Sequence, residues 1–108
     1  MKVALIDIGV SRNEVGNKML VRHFSFDNGK IVEKYKEPEE EHGTRCFKEI
    51  VLNVKNTNLQ ILDLNIVDDS GTLQVNQMIA AIEKAIKEQA DNKSSDFLLS
   101  AYCHGLLS

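Results

Sequence analysis

The chain has 108 residues, the length of a single domain, and its composition of 43% apolar and 27% charged residues is that of a globular chain, not a disordered one. A formal net charge of -3 leaves no basic footprint for nucleic acid or an anionic membrane. No apolar run reaches bilayer-spanning length, and Met1-Lys2 leads straight into an apolar stretch without a signal-peptide cleavage pattern, so a cytoplasmic location is expected.

Val3 to Val10 is a run of branched apolar residues interrupted only by Asp7 and Gly9. Such a run reads as a strand buried on both faces inside a parallel sheet. Ser11 to Lys18 is polar and reads as a loop. Leu20 to Phe26 and Lys30 to Tyr35 flank Asp27-Asn28-Gly29, which supplies turn chemistry, so the pair is predicted to be a hairpin. The charged stretch Lys36-Glu37-Pro38-Glu39-Glu40-Glu41 follows as a solvated loop.

Phe47, Ile50, Val51 and Val54 recur at helical spacing, which predicts a helix opening near His42 or Gly43 and ending at Asn56-Thr57-Asn58. Leu59 to Val67 reads as a second buried strand, and Asp68-Asp69-Ser70-Gly71 as a turn. Val75, Met78, Ile79, Ile82, Ala85 and Ile86 share one helical face. They predict a core-facing helix from about Leu73 to Ala90, with Glu83 and Lys87 as a supporting pair on the other side. Asp91 to Ser95 breaks it, and Asp96 to Tyr102 reads as a last strand. Alternating strands and helices indicate an α/β fold: three layers, with a mostly parallel sheet between flanking helices.

Asp7 closes the first strand, and the carboxyl edge of an α/β sheet is where ligands and chemistry collect. Gly9 allows a sharp turn or a close approach. His42 opens the first helix and is followed by Gly43-Thr44. A strand ending in Asp-x-Gly also occurs in phosphate-binding loops, so a nucleotide-binding domain is one alternative for Asp7. His42 and Cys46, at i and i+4, have a metal-ligand spacing that Cys103-His104 could complete. The plainer expectation is that Cys46 is a small buried residue and that the chain holds no metal or cofactor. The cysteines are too few for a disulfide framework and are expected to be reduced. His23 has no partner legible in the sequence.

Taken together, Val3 to Val10 and His42-Gly43-Thr44 resemble the first two catalytic blocks of the subtilisin-like serine peptidases. His42 to Cys46 is similar to the variant of the second block in the kexin-like branch, where Arg and Cys follow Thr. The resemblance spans residues 1 to 91 and leaves 92–108 as a divergent tail. It implies a truncated subtilisin-like fold in which Asp7 orients His42 and His42 is the general base for a serine nucleophile. Histidine suits that role because its protons exchange near neutral pH, and a buried carboxylate fixes its tautomer.

The chain also departs from the family. Phe47-Lys48 stands where the family has small residues, so the helix is expected to pack differently. The oxyanion asparagine and the Gly-Thr-Ser block have no counterpart, and Ser100 and Ser108 sit in no matching motif. The resemblance therefore implies the amino-terminal portion of a serine endopeptidase acting on peptides, inactive by itself. A non-catalytic pseudo-peptidase or interaction module is the alternative, with self-association through an exposed sheet edge.

Overall fold

The computed structural model describes residues 2–16, 20–54, 59–92 and 97–101, with backbone alone from residue 90 onward. Five strands, β1 (Lys2–Asp7), β2 (Leu20–Asp27), β3 (Lys30–Glu33), β4 (Gln60–Asn65) and β5 (Phe97–Ala101), form one sheet in the order β3-β2-β4-β1-β5. The helices are α1 (His42–Asn53) and α2 (Val75–Asn92), with a short 3-10 turn at Arg12–Glu14. β2, β4, β1 and β5 run parallel, and β3 returns antiparallel to β2. The domain is thus a small α/β domain with a mostly parallel sheet, as its alternating elements predict. Among the described residues no helix is long and apolar enough to cross a membrane.

β1 is buried at every position because β4 and β5 pair with its two edges while helices cover its two faces. Alternate side chains therefore enter different cores. Val3 and Leu5 join Ile61 and Phe47 of α1 on one face, with Ile50 and Val51 packed against them. Ala4 and Ile6 join Phe24, Leu62, Leu64 and Met78, Ala81 and Ala85 of α2 on the other. A strand buried this way needs no polar face, which is why the run from Val3 is continuously apolar.

The β2–β3 hairpin closes on Asn28 (φ 50°) and Gly29 (φ 80°). Two successive residues with positive φ are the geometry of a tight two-residue hairpin turn, the one that Asp-Asn-Gly predicts. Arg22 then fastens the hairpin to α2. Its guanidinium donates to Glu33 on β3 at 2.9 and 3.0 Å and to Glu88 on α2 at 2.8 Å. The Arg22 hydrogen bonds hold the Glu33 carboxyl below its ordinary value. Burial works to raise Glu88, but Arg22 and Lys84 together pull it down.

Several expected boundaries shift. β3 stops at Glu33, short of Tyr35. α1 ends at Asn53, before the expected stop at Asn56-Thr57-Asn58, which lies outside the described residues. β4 is shorter than the apolar stretch Leu59 to Val67, whose ends flank it. α2 continues through Asp91, the predicted break.

The expected buried face of α2 holds at Met78, Ile82 and Ala85 and is corrected at Val75, Ile79 and Ile86. Val75, Ile79 and Ile86 are exposed at 55%, 48% and 59%, whereas Met78, Ala81 and Ala85 pack on the sheet and Ile82 sits beside them. The contact line includes the small Ala81 and Ala85, which let the helix axis approach the sheet; of the two, Ala81 lies outside the expected face. The salt bridge along α2 is Lys84–Glu88 at 3.3 Å, one position on from the expected Glu83–Lys87 pair. Leu64→Ala should cost about 2–5 kcal/mol in urea unfolding. Ile86→Ala should stay within about 0.5 kcal/mol of the parent, because its side chain leaves no cavity behind.

Candidate active site

Asp7 and His42 meet at the carboxyl edge of the sheet. The Asp7 side chain is almost wholly buried, at 2% exposure, and the His42 ring is about half-exposed at 46%. His42 Nδ1 lies 3.0 Å from Asp7 Oδ1 and 3.1 Å from Oδ2. A carboxylate only accepts, so this contact assigns the ring proton to Nδ1 and leaves Nε2 as the basic nitrogen. The backbone N–H of Ile8 also donates to Asp7 Oδ1 at 2.7 Å. Asp7 is thereby anchored from its own chain as well as from the helix.

The approach depends on two glycines. Gly9 has φ 105°, a left-handed conformation that disfavours any side chain, and a Cβ there would stand 2.7 Å from the Asn65 amide. A Cβ on Gly43 would run into the carbonyl oxygen of Gly9. The loop after β1 and the first turn of α1 therefore touch backbone to backbone. Thr44 completes the contact: the Ser11 N–H donates to its Oγ1 at 3.0 Å. Each residue of His42-Gly43-Thr44 thus has its own contact on Asp7 to Ser11.

Gly43→Ala should cost about 1–3 kcal/mol, the usual range for forcing an extra carbon into a packed site. Gly16→Ala, with nothing within 4 Å of the new methyl, should change stability by less than about 1 kcal/mol. Urea titration of the two variants beside the parent measures the difference.

A second aspartate–histidine pair lies one row deeper on the same sheet face. Register places Leu5, Asp63 and His23 side by side, and Asp7, Asn65 and Ser25 in the next row. His23 Nδ1 is 2.7 Å from Asp63 Oδ2, which also accepts the Val10 N–H at 3.3 Å. Tyr35 packs edge-on against the His23 ring at 4.8 Å. Tyr35 Oη accepts the Arg12 N–H and donates to Glu37. Asp63 is the partner that His23 lacked in the sequence. The available signal was an aspartate in the middle of an apolar strand, on the face that α1 covers.

Burial pushes the Asp63 carboxyl above its ordinary value; His23 and the Val10 N–H pull it down, and the Asp7 charge adds to the rise. Asp63 Oδ1 is buried without a hydrogen-bond partner among the described residues. A carboxyl raised on folding keeps its proton over a pH range where the unfolded chain has lost it. Stability therefore falls as pH rises through that range. Asp63→Asn should raise the urea midpoint at pH 7, and the gain should shrink as pH falls through the ordinary aspartate range near about 4 and the unfolded chain's carboxyl also takes up its proton.

Cys46, one helical turn after His42, is half-buried, contrary to the expectation of a fully buried residue. Its sulfur lies 3.8 Å from His42 Nδ1. Burial pushes the Cys46 thiol up, and the Asp7 charge adds to this. Cys103 and His104, the expected completion of a metal set, lie outside the described residues, as does Ser108; Ser100 is described in backbone alone, on β5.

The acidic loop Glu37 to Glu41 walls two shallow clefts, of about 250 and 220 Å³. Arg45 and Lys48 face the first, and Lys36, Asp68 and Asp69 the second. Neither of these clefts is lined by Asp7 or His42. At the rim of the second, Asp68 caps its own turn, accepting from the Thr72 and Ser70 hydroxyls and backbone N–H groups, which hold its carboxyl well below the ordinary range.

Comparison of the chain with protein-family models, curated proteins and solved structures returns no match.

Proposed function

We propose that the chain is the amino-terminal portion of a subtilisin-like serine endopeptidase, with Asp7 as the orienting carboxylate and His42 as the general base. The observation that carries this reading is the Asp7–His42 contact at 3.0 Å, made by a nearly buried carboxylate and a half-exposed imidazole. Burial strengthens the carboxylate's hold on the Nδ1 proton, and exposure lets Nε2 reach a reacting group.

Peptide hydrolysis by this route needs a serine and an oxyanion donor, and no Gly-Thr-Ser block lies within the 108 residues. Loss of a triad nucleophile lowers kcat on the order of a million-fold, so the chain alone should not turn over peptides measurably. The coding DNA after Ser108, read in all three frames, is expected to contain an asparagine block and a Gly-Thr-Ser-Met-like block. Their absence would remove the peptidase reading. Fluorophosphonate-sensitive turnover by the 108-residue chain would instead overturn the assignment of Asp7 and His42 as an incomplete set.

A second reading, a non-catalytic interaction module, is favoured by the exposed Val75, Ile79 and Ile86 on α2 and by the position of β5 at the sheet edge. An unpaired strand edge invites pairing with another chain. This reading expects self-association in light scattering. A monomer with a single cooperative thermal transition removes it.

A further inference from the structure

Three different donor groups converge where β1 ends and α1 begins. The Asp7 carboxylate, the His42 imidazole and the Cys46 thiol each offer a ligand atom, all within 4.8 Å of one another. His42 Nδ1 is 3.0 Å from Asp7 Oδ1 and 3.8 Å from Cys46 Sγ. Around a tetrahedral zinc ion with bonds of about 2.0–2.3 Å, neighbouring ligand atoms stand roughly 3.3–3.7 Å apart. The two separations from His42 straddle that range, and the Asp7 and Cys46 donors lie within 4.8 Å of each other, so side-chain rotations are the adjustment that brings all three into position.

The fold fixes this arrangement. His42 and Cys46 are stacked at i and i+4 on one face of α1. The backbone contact between Gly9 and Gly43 sets the depth of the helix against Asp7. One nitrogen, one sulfur and one oxygen suit a borderline divalent ion, whereas calcium and magnesium require oxygen donors. Charge points the same way. A dication between a carboxylate and a thiolate cancels both charges. The half-exposed His42 ring gives the ion a route from solvent.

We propose that Asp7, His42 and Cys46 bind a borderline divalent metal ion, zinc being the best chemical match, through the carboxylate, Nδ1 and Sγ. On binding, the zinc–sulfur bond forms as the S–H bond breaks, and that proton leaves to solvent. The imidazole keeps its single proton, which moves from Nδ1 to Nε2. The metal therefore takes the nitrogen whose proton joins His42 to Asp7, so the metal-bound and hydrogen-bonded states exclude each other. Metal binding stands on the geometry alone. That it would switch off a general base rests on the peptidase reading.

Cobalt(II) titrated into the reduced 108-residue chain tests the site, because a thiolate ligand gives a charge-transfer band in the near ultraviolet. The band is expected to saturate at one ion per chain, to be displaced by zinc, and to accompany release of about one proton in weak buffer. Cys46→Ser should abolish the band and weaken zinc binding at least about tenfold, since changes even outside the ligand set cost that much. A Cys103→Ser, His104→Ala double variant should keep both. No band in the parent chain, a band that survives Cys46→Ser, or a band lost in the double variant overturns the proposal. If Cys46→Ser fails to fold by circular dichroism, alkylation of the parent decides. Zinc must protect Cys46 from iodoacetamide in peptide mapping, and an unprotected Cys46 overturns the site. None of these measurements uses hydrolysis, so failure of the metal site and failure of the peptidase reading remain distinguishable.

Discussion

The carbonyl oxygen of Gly9 lies against the α-carbon of Gly43, in space that no side chain can share. This backbone contact sets where α1 begins relative to the end of β1, and every feature of the site follows from it. The imidazole of His42 comes within hydrogen-bonding distance of Asp7 because the next residue can sink onto the loop. Thr44 takes up the Ser11 N–H, which the turn leaves without a sheet partner. Cys46 arrives beside the ring because it lies one helical turn further along. A methyl group at either glycine would lever all three away together.

The sheet face beneath α1 changes character along its length. Its lowest row is Val3, Ile61 and Val21, the next is Leu5, Asp63 and His23, and the last is Asp7, Asn65 and Ser25. Burying carboxylates there is costly unless they are hydrogen-bonded. The strand ends meet that need with their own backbone: Ile8 to Asp7, Val10 to Asp63, Val67 to Asn65. The two histidines add a partner each. These bonds also order the loop between β1 and the 3-10 turn, so the groups that carry charge also position the carboxyl edge of the sheet.

The opposite face has no such demands. Its core of Ala4, Ile6, Leu62, Leu64 and the alanines of α2 is apolar throughout. Arg22, held by Glu33 and Glu88, ties the hairpin to that side, so β2 is gripped from above by α2 and from below by the His23–Asp63 pair. The hairpin that completes the sheet is therefore coupled to the face that carries the site.

Much of this architecture was legible in the residues. The unbroken run at Val3, the Asn-Gly turn and the helical spacing after His42 each follow local rules that tertiary contacts did not override. Asp7 and His42 could be named because a carboxylate at a strand end and a histidine at a helix start are local features. Their meeting was a matter of tertiary structure, since it depends on two glycines far apart in the chain touching through their backbones. The same holds for His23, whose partner lies on a strand that only the crossover connection brings beside it. The face of α2 is legible at Met78, Ile82 and Ala85 but not at Val75, Ile79 and Ile86, because apolar size is legible in a sequence, whereas the closeness of a helix to a sheet is decided by where its small residues fall. The sequence alone determined the elements and the chemical types at their ends. The tertiary structure decided which ends meet, because burial and register are properties of the assembled sheet.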